Sequence, residues 1–527
     1  MKRKKIATGE MAREVEIKLE IPASTVSKVM RLPWLWELAS GELRASHMVS
    51  TYYDTKNGAL RGRGITLRVR RVGGVCVQTV KAAVNGAALP IERHEWEEEV
   101  SGAGPDLARA TGTALDAIPK KKLKDLRPRF DVKVDRSAFP IQSANSAIEI
   151  AIDRAQMAGD GETISFCEIE LELKRGAASE LARIARRIAN ETPASLVLKT
   201  KSDRGFALHE RDVHAPHSAE PVAIDATARV GEAFQTIAWS CLRHFALNAD
   251  AVISGDTRGV HQMRVGLRRL GAAISVFKHM VDGPETDAIK VELKWLTDEL
   301  MQARALDVFI EETLAPMQDG KDGAEELAAL RADAEARRGA SMECAKAALR
   351  SDRYRRLAVR TALWIIAAEW SDRTAHAVEE PSRRVGAFAE RTLSHRTRQV
   401  VRRLSHFREL DDVRRHKLRI AVKKLRYATE FFDGVFPERR HRRRNFLRAL
   451  ENLQDDLGQL NDIAGLEPLR REFMAAWTEP STNAAQSVQK AFAMGLAIGQ
   501  QQQKKAVLIA AVDSERRRLA SLAPFWT

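Results

Sequence analysis

The chain has 527 residues, 44% of them apolar and 30% charged, so it is too long for one ordinary core and too apolar for a disordered segment. No uninterrupted apolar run is long enough to span a bilayer, and the basic residues 1–5 have no apolar stretch behind them, which speaks against a secretory signal. A formal net charge of +15 points to an anionic partner: nucleic acid, an anionic membrane surface, or phosphate polymers and nucleotides.

Residues 13–210 read as strand-rich. Glu14-Val15-Glu16-Ile17-Lys18-Leu19-Glu20 alternates with period two, so its charged side chains share one face. The alternation returns at 66–70, 95–100, 131–135, 147–150 and 168–174, with turn signals at Asn57-Gly58, Gly73-Gly74, Asn85-Gly86 and 159–161 between the segments. Short helices are predicted at 24–31 and 179–190. Met11, just before the first strand, is an alternative start. Several strands carry paired carboxylates or paired cations at i, i+2. If they close into a barrel, one such face points inward and makes a polar tunnel.

Residues 211–223, with Pro216 and Pro221, read as a linker. Beyond it, 224–522 reads as long amphipathic helices rich in Ala, Leu and Arg, among them 324–350, 353–370 and 487–522, with loops at 319–323 and 480–483. An internal repeat sits here: residues 260–270 (VHQMRVGLRRL) match 415–425 (RHKLRIAVKKL) at an offset of 155, and 296–300 match 453–457 at 157. Two tandem helical bundles are expected. The fold class is therefore α+β in two domains: an N-terminal antiparallel β-barrel and a C-terminal all-α tandem bundle. Cys76, Cys167, Cys241 and Cys344 lie far apart without metal-binding spacing, which favours a reducing, cytoplasmic setting.

Three clusters carry chemistry in the first half: Glu14, Glu16 and Lys18; Arg68 and Arg70 with Lys81; and Glu168, Glu170 and Glu172 with Asp153. Paired carboxylates without His or Cys make a hard-oxygen site suited to Mg²⁺ or Mn²⁺. Paired arginines and lysines clamp phosphate oxygens. Together they suit a metal–polyphosphate anion, and phosphoryl transfer needs little beyond positioning and charge stabilisation. In the second half, His261, Arg264 and Arg268 form one helical stripe, and His416, Arg419, Lys423 and Arg426 form its counterpart. Like charges stacked on one face repel, so a stripe repeated in this way implies an anionic ligand. The run Arg439–Arg444 reads as an electrostatic collector. No P-loop, Rossmann fingerprint or Ser/His/Asp arrangement is present.

Glu14-Val15-Glu16-Ile17-Lys18 resembles the ExExK signature of the CYTH superfamily, the triphosphate tunnel metalloenzymes. Tyr53-Asp54-Thr55, Leu67–Arg70, Lys81, Glu95-Trp96-Glu97, Asp153, Glu168–Glu172 and Lys201–Gly205 resemble the family's other motifs in order. The resemblance implies an eight-stranded antiparallel barrel. It implies that Glu14, Glu16, Asp153, Glu168 and Glu170 hold the metal, and that Glu14, Glu16 and Lys18 carry catalysis. Lys18, Arg68, Arg70, Lys81, Arg136 and Lys201 then bind phosphates, with Arg127, Arg129 and Lys133 competing with Arg136 for one role. Glu172 falls in register with the Glu168–Glu170 pair.

Residues 225–520 resemble the CHAD domain, through the two His/Arg/Lys blocks and Leu457-Gly458-Gln459-Leu460-Asn461-Asp462. That resemblance implies an inorganic polyphosphate cavity lined by His261, Arg264, Arg268, His416, Arg419, Lys423 and Arg426. Gly271 and the Arg304–Asp307 stretch depart from the family pattern. The expected activity is metal-dependent hydrolysis of inorganic triphosphate to diphosphate and phosphate, in the cytoplasm or on polyphosphate granules. The alternatives are a class IV-type adenylate cyclase or thiamine triphosphatase, and a non-catalytic polyphosphate scaffold. A nucleic-acid binder is disfavoured by an aromatic content of 6%.

Overall fold

The computed structural model describes residues 12–83, 92–159, 161–210, 213–317, 323–371, 382–478 and 484–527. The turn expected at Asn85-Gly86 and nearly all of the two expected loops fall outside them. The chain forms two compact units, one of residues 1–215 with 350–373, the other of 216–349 with 374–527.

The first unit is a nine-stranded antiparallel sheet: β1 (Ala12–Ile21), β2 (Arg44–Thr55), β3 (Ile65–Val72), β4 (Val75–Ala83), β5 (Glu92–Val100), β6 (Leu126–Ser143), β7 (Ser146–Gly159), β8 (Glu162–Arg175) and β9 (Ser195–Leu196), in the order β5-β4-β3-β2-β6-β7-β8-β1-β9. One edge of β1 pairs with β8 from Val15 to Ile21. Its other edge meets β5 only from Ala12 to Val15, and then β9 at Leu19 and Glu20. The expected antiparallel architecture is present, differing in detail: the sheet has nine strands, and its ends meet over a short seam and not along a full ladder. Strand twist curls the sheet, and the brief pairing leaves the rest of that edge to the added strand. Gly73 and Gly74, both at positive φ (54° and 87°), make the two-residue β3–β4 turn that their sequence signals.

Alternation sets what faces where. Val15, Ile17, Leu19 and Ile21 of β1 are buried on one side of the strand. Helix α1 (Ala178–Glu191) packs on β1 and β8, with Leu181, Ile184 and Ile188 fully buried. The charged residues of the same strand are left to the concave face. Helix α2 (Lys201–Glu210) packs on β6 and β7.

A helix from deep in the second half of the sequence belongs to this unit. Residues 352–367 are buried almost all round from Leu357 onward, the pattern of a helix enclosed by protein. This helix packs on α1 and β9. Arg355 Nη1 donates to the carbonyls of Thr192 (3.3 Å) and Ala194 (3.1 Å), and Arg186 pairs with Glu369 at 3.1 Å. The arginine thus satisfies carbonyls just beyond the end of α1.

The described part of the second unit contains helices and connecting loops but no strand: α3 (Val230–Ala246), α4 (Thr257–Val276), α5 (Pro284–Glu299), α6 (Met301–Val308), α7 (Ala324–Arg350, which ends at the boundary), α9 (Val385–Leu404), α10 (Asp412–Phe431), α11 (Arg440–Trp477) and α12 (Ala484–Ser521), with α8 (Asp352–Ala367) being the helix given to the first unit. Asp256 and Asp411 cap α4 and α10, each accepting from a backbone N–H of its first turn. The repeat keeps its offset of 155 through whole elements, since α4 (257–276) corresponds to α10 (412–431) and α3 starts at Val230 where α9 starts at Val385. No helix among the described residues is long and apolar enough to cross a membrane.

Candidate active site and basic cavity

The concave face of the sheet encloses a cavity of about 270 Å³. Lys18, Arg68, Arg70, Lys81, Arg136 and Lys201 all line it, as do Glu16, Asp153 and Glu170. Glu14 is in β1 opposite Arg93, but its side chain lies outside the described residues. Arg127 pairs with Asp125 at 2.6 Å and Lys133 is exposed, whereas Arg136 follows Val132 and Val134 onto the inner face. Register therefore separates residues that sequence pattern alone leaves equivalent.

The acidic wall is closely paired. Lys201 Nζ donates to Asp153 (3.0 Å), Glu168 (2.7 Å) and Glu170 (2.8 Å). Arg136 grips Asp153 with two bonds of 2.7 Å and also reaches Glu170. Lys18 Nζ lies 3.0 Å from Glu16 and 2.9 Å from Glu170. Asp153 and Glu168 have no exposed surface, which sets them behind Lys201. Glu168 Oε1 is buried without a hydrogen bond; Arg204 Nη2 is 3.5 Å away. On the opposite wall, Lys81 lies 3.1 Å from Glu95 and Arg68 lies 3.7 Å from the same carboxylate. Arg70 has no ion pair among the described residues, and its buried Nε has no hydrogen bond.

Glu172, which the sequence reading set in register with the Glu168–Glu170 pair, also lines the cavity, as does Glu149, which that reading did not place. Glu172 stands opposite Glu16 on one side and Glu149 on the other, a row of three across β1, β8 and β7. Glu149 bonds Arg44, and Glu172 lies 2.5 Å from Lys174. The signal for Glu149 was parity, since it lies four residues before Asp153 on the same strand face.

In the second unit the two stripes face each other across α4 and α10. His261 counts Lys423 among its charge neighbours, Arg264 counts Arg419, and both Arg419 and Lys423 count Arg268. Arg264 Nη1 donates to the Thr297 carbonyl at 3.0 Å. His416 is exposed, with Nδ1 2.5 Å from Asn461 Oδ1, and Arg426 pairs with Glu430 at 3.0 Å. The Nε atoms of Arg264, Arg268, Arg419 and Arg426 are buried without partners. In the Arg439–Arg444 run, Arg443 is held by Asp433 while the other cations are exposed.

The CYTH domain model matches residues 12–206 and the CHAD domain model matches 236–471. The crystal structure of the CHAD domain from the plant Ricinus communis is 32% identical, with a TM-score of 0.50, over 59% of this chain and 98% of that one. The chain is a CYTH–CHAD protein. A Hippeastrum protein, named as a candidate adenylyl cyclase with a dominant triphosphatase activity, matches at 17% identity and a TM-score of 0.27, over 38% of this chain and 95% of that one. A Bacillus halodurans protein, named as a candidate adenylate cyclase, matches at 19% identity and a TM-score of 0.26, over 37% of this chain and all of that one.

CYTH proteins act on phosphoanhydride bonds and generally depend on a divalent metal. No His or Cys is among the described residues that line the cavity, and its carboxylates include Glu16, Glu170 and Glu172 on one wall. Such a donor set fits a hard dication. Among the described residues no three acidic, His or Cys side chains already converge as a cage, because lysines and arginines hold the carboxylates. Burial alone would lower the Lys18 pKa, but Glu16, Glu170 and Glu168 outweigh it and hold it well above the ordinary value. Arg70 is the contrast: burial, then Arg68 and Arg136, lower its pKa to about 10. The CHAD stripes resemble Arg70. Burial and cationic neighbours lower His261 to about 4, Arg264 to about 10 and Lys423 to about 7. His261 is thus a neutral hydrogen-bonding group at neutral pH and not a cation.

Proposed function

We propose that the CYTH tunnel hydrolyses inorganic triphosphate to diphosphate and phosphate with a divalent metal, Mg²⁺ or Mn²⁺, and that the CHAD cavity binds inorganic polyphosphate. The observation that carries the first reading is a 270 Å³ cavity with cations on both walls, one of them, Arg70, half-buried and without an ion pair among the described residues. Its small, charged lining suits a substrate made only of phosphate. Arg68, Arg70 and Lys81 bind the phosphate oxygens from one wall, and Lys18 and Arg136 bind them from the other. Asp153 and Glu168 hold Lys201 in place. Glu16, Glu170 and Glu172, with Glu14, would hold the dication, which when bound would neutralise substrate charge. Lys18 stays protonated at neutral pH and stabilises charge on the departing phosphate. The protein acts in the cytoplasm, where its substrate and its four free cysteines are both at home.

Phosphate release from tripolyphosphate, ATP and thiamine triphosphate, with either metal, tests this reading. Wild type is expected to prefer tripolyphosphate, and Glu16→Ala to lower the rate by about 10²–10³. Cyclic nucleotide from ATP would assign the tunnel to the cyclases. No release from any substrate, with polyphosphate binding intact, would leave a scaffold.

A further inference from the structure

The two CHAD repeats differ where their offset of 155 predicts sameness. In the first repeat, Arg269 is only 3% exposed and lies 5.7 Å from the Phe431 ring centroid. Glu430 is one of its charge neighbours, and Cys241 is buried nearby. Gly266 lets α3 press onto α4: a Cβ there would stand 2.6 Å from the Phe245 nitrogen. The position is closed, with Arg269 Nη1 3.4 Å from His244 Nδ1 and an acid, Glu430, among its charge neighbours.

In the second repeat the counterparts are Lys424 for Arg269, Ser275 for Glu430, Arg396 for Cys241 and Ala421 for Gly266. The acid is gone, a second cation has replaced a thiol, and the glycine that admitted the neighbouring helix has gained a methyl. A cavity of about 510 Å³ opens there, between α9, α10 and the short helix Lys278–Val281. Its wall carries Lys278, Arg396, Arg403, Lys417 and Lys424, with Arg391 at its edge, and no carboxylate among the described residues that line it. Arg396 Nη2 donates to the Ser275 carbonyl at 3.1 Å, which fixes the guanidinium at the cavity wall. None of the lining cations is one of the stripe residues His261, Arg264, Arg268, His416, Arg419, Lys423 and Arg426.

We propose that this cavity is a second anion site of the CHAD unit, separate from the facing stripes, and that it takes a compact condensed phosphate, either free or as the phosphate end of a nucleotide. Five cations, Lys278, Arg396, Arg403, Lys417 and Lys424, with no acid among the described lining residues call for several negative charges in a small volume, which a short phosphoanhydride chain supplies. The direction of the Lys424 pKa agrees: burial, then Arg396 and Arg403, lower it, so a bound anion would restore the proton. The inference is independent of which substrate the CYTH tunnel takes.

Lysine labelling of the full chain tests it. Reductive methylation is read by mass spectrometry with EDTA present, alone and with pyrophosphate, tripolyphosphate or ATP. Potassium sulfate at matched ionic strength is the control. Lys424 is expected to lose most of its labelling with tripolyphosphate and little with sulfate. Protection should persist in Arg264→Gln/Arg419→Gln, which removes the stripe cations, and weaken severalfold in Arg396→Gln. Protection by ATP as well assigns the nucleotide's phosphate end; protection by pyrophosphate and tripolyphosphate alone assigns the free anions. Equal protection by sulfate, no protection at all, or its loss in the stripe variant would each overturn the proposal. The wild-type labelling decides even if a variant fails to fold.

Discussion

The CYTH tunnel and the CHAD cavity both gather cations, but they handle the resulting repulsion in opposite ways. In the tunnel most lysines and arginines stand against carboxylates, and Lys18, Arg136 and Lys201 are held protonated by them. In the CHAD stripes the cations face one another, and Lys423 is lowered to about 7. A balanced site keeps its shape when empty and exchanges partners on binding. An unbalanced site stores repulsion that an anion relieves. The difference is the one expected of the two proposed roles, a tunnel that positions a reaction and a cavity that holds a polymer.

The largest expected effect breaks the balance in the tunnel. Lys201→Met leaves Asp153 and Glu168 buried without their shared cation. It should cost about 3–5 kcal/mol of stability, read as a lower midpoint in urea unfolding. Arg70→Ala removes the tunnel cation that most resembles the CHAD set. It should lower kcat/KM for tripolyphosphate by about 10- to 100-fold, the loss of one charge-assisted bond, with little change in the unfolding midpoint.

The smallest effect sharpens the comparison through pH. Lys423 has a pKa of about 7 in the empty cavity, and a bound polyanion must raise it. Polyphosphate binding then takes up a proton at and above neutral pH. Affinity should be fullest below pH 7 and fall by at most about tenfold per unit as pH rises beyond it. Lys423→Gln should flatten that slope, as seen by calorimetry in two buffers of different ionisation heat.

Much of this was legible in the sequence because strand parity is a strict rule. Glu16, Lys18, Arg68, Arg70 and Lys81 share the inner face as their alternation requires, and the repeated blocks 260–270 and 415–425 fall in the corresponding helices α4 and α10. Parity does not give register. The row formed by Glu16, Glu172 and Glu149 needs three strands aligned, and the short β1–β5 seam depends on where the sheet's ends meet. Burial was the other gap: Asp153 and Glu168 read as equals of Glu16, yet Lys201 covers them. The cavity beside Lys424 was hidden for a different reason. It arises from the differences between two repeats, whereas sequence comparison weighs what they share.

Helix α8 has a consequence for how this molecule can be divided. The polypeptide passes between the two units three times, at 215/216, 349/350 and 373/374. A protease that nicks the segment 213–222 therefore separates nothing, because the N-terminal fragment stays clasped to a helix that the other fragment owns at both ends. Exchange of CYTH halves between relatives at that same segment would leave behind the piece that covers α1. The boundary at which the two families meet in sequence is thus not a boundary at which the folded protein comes apart.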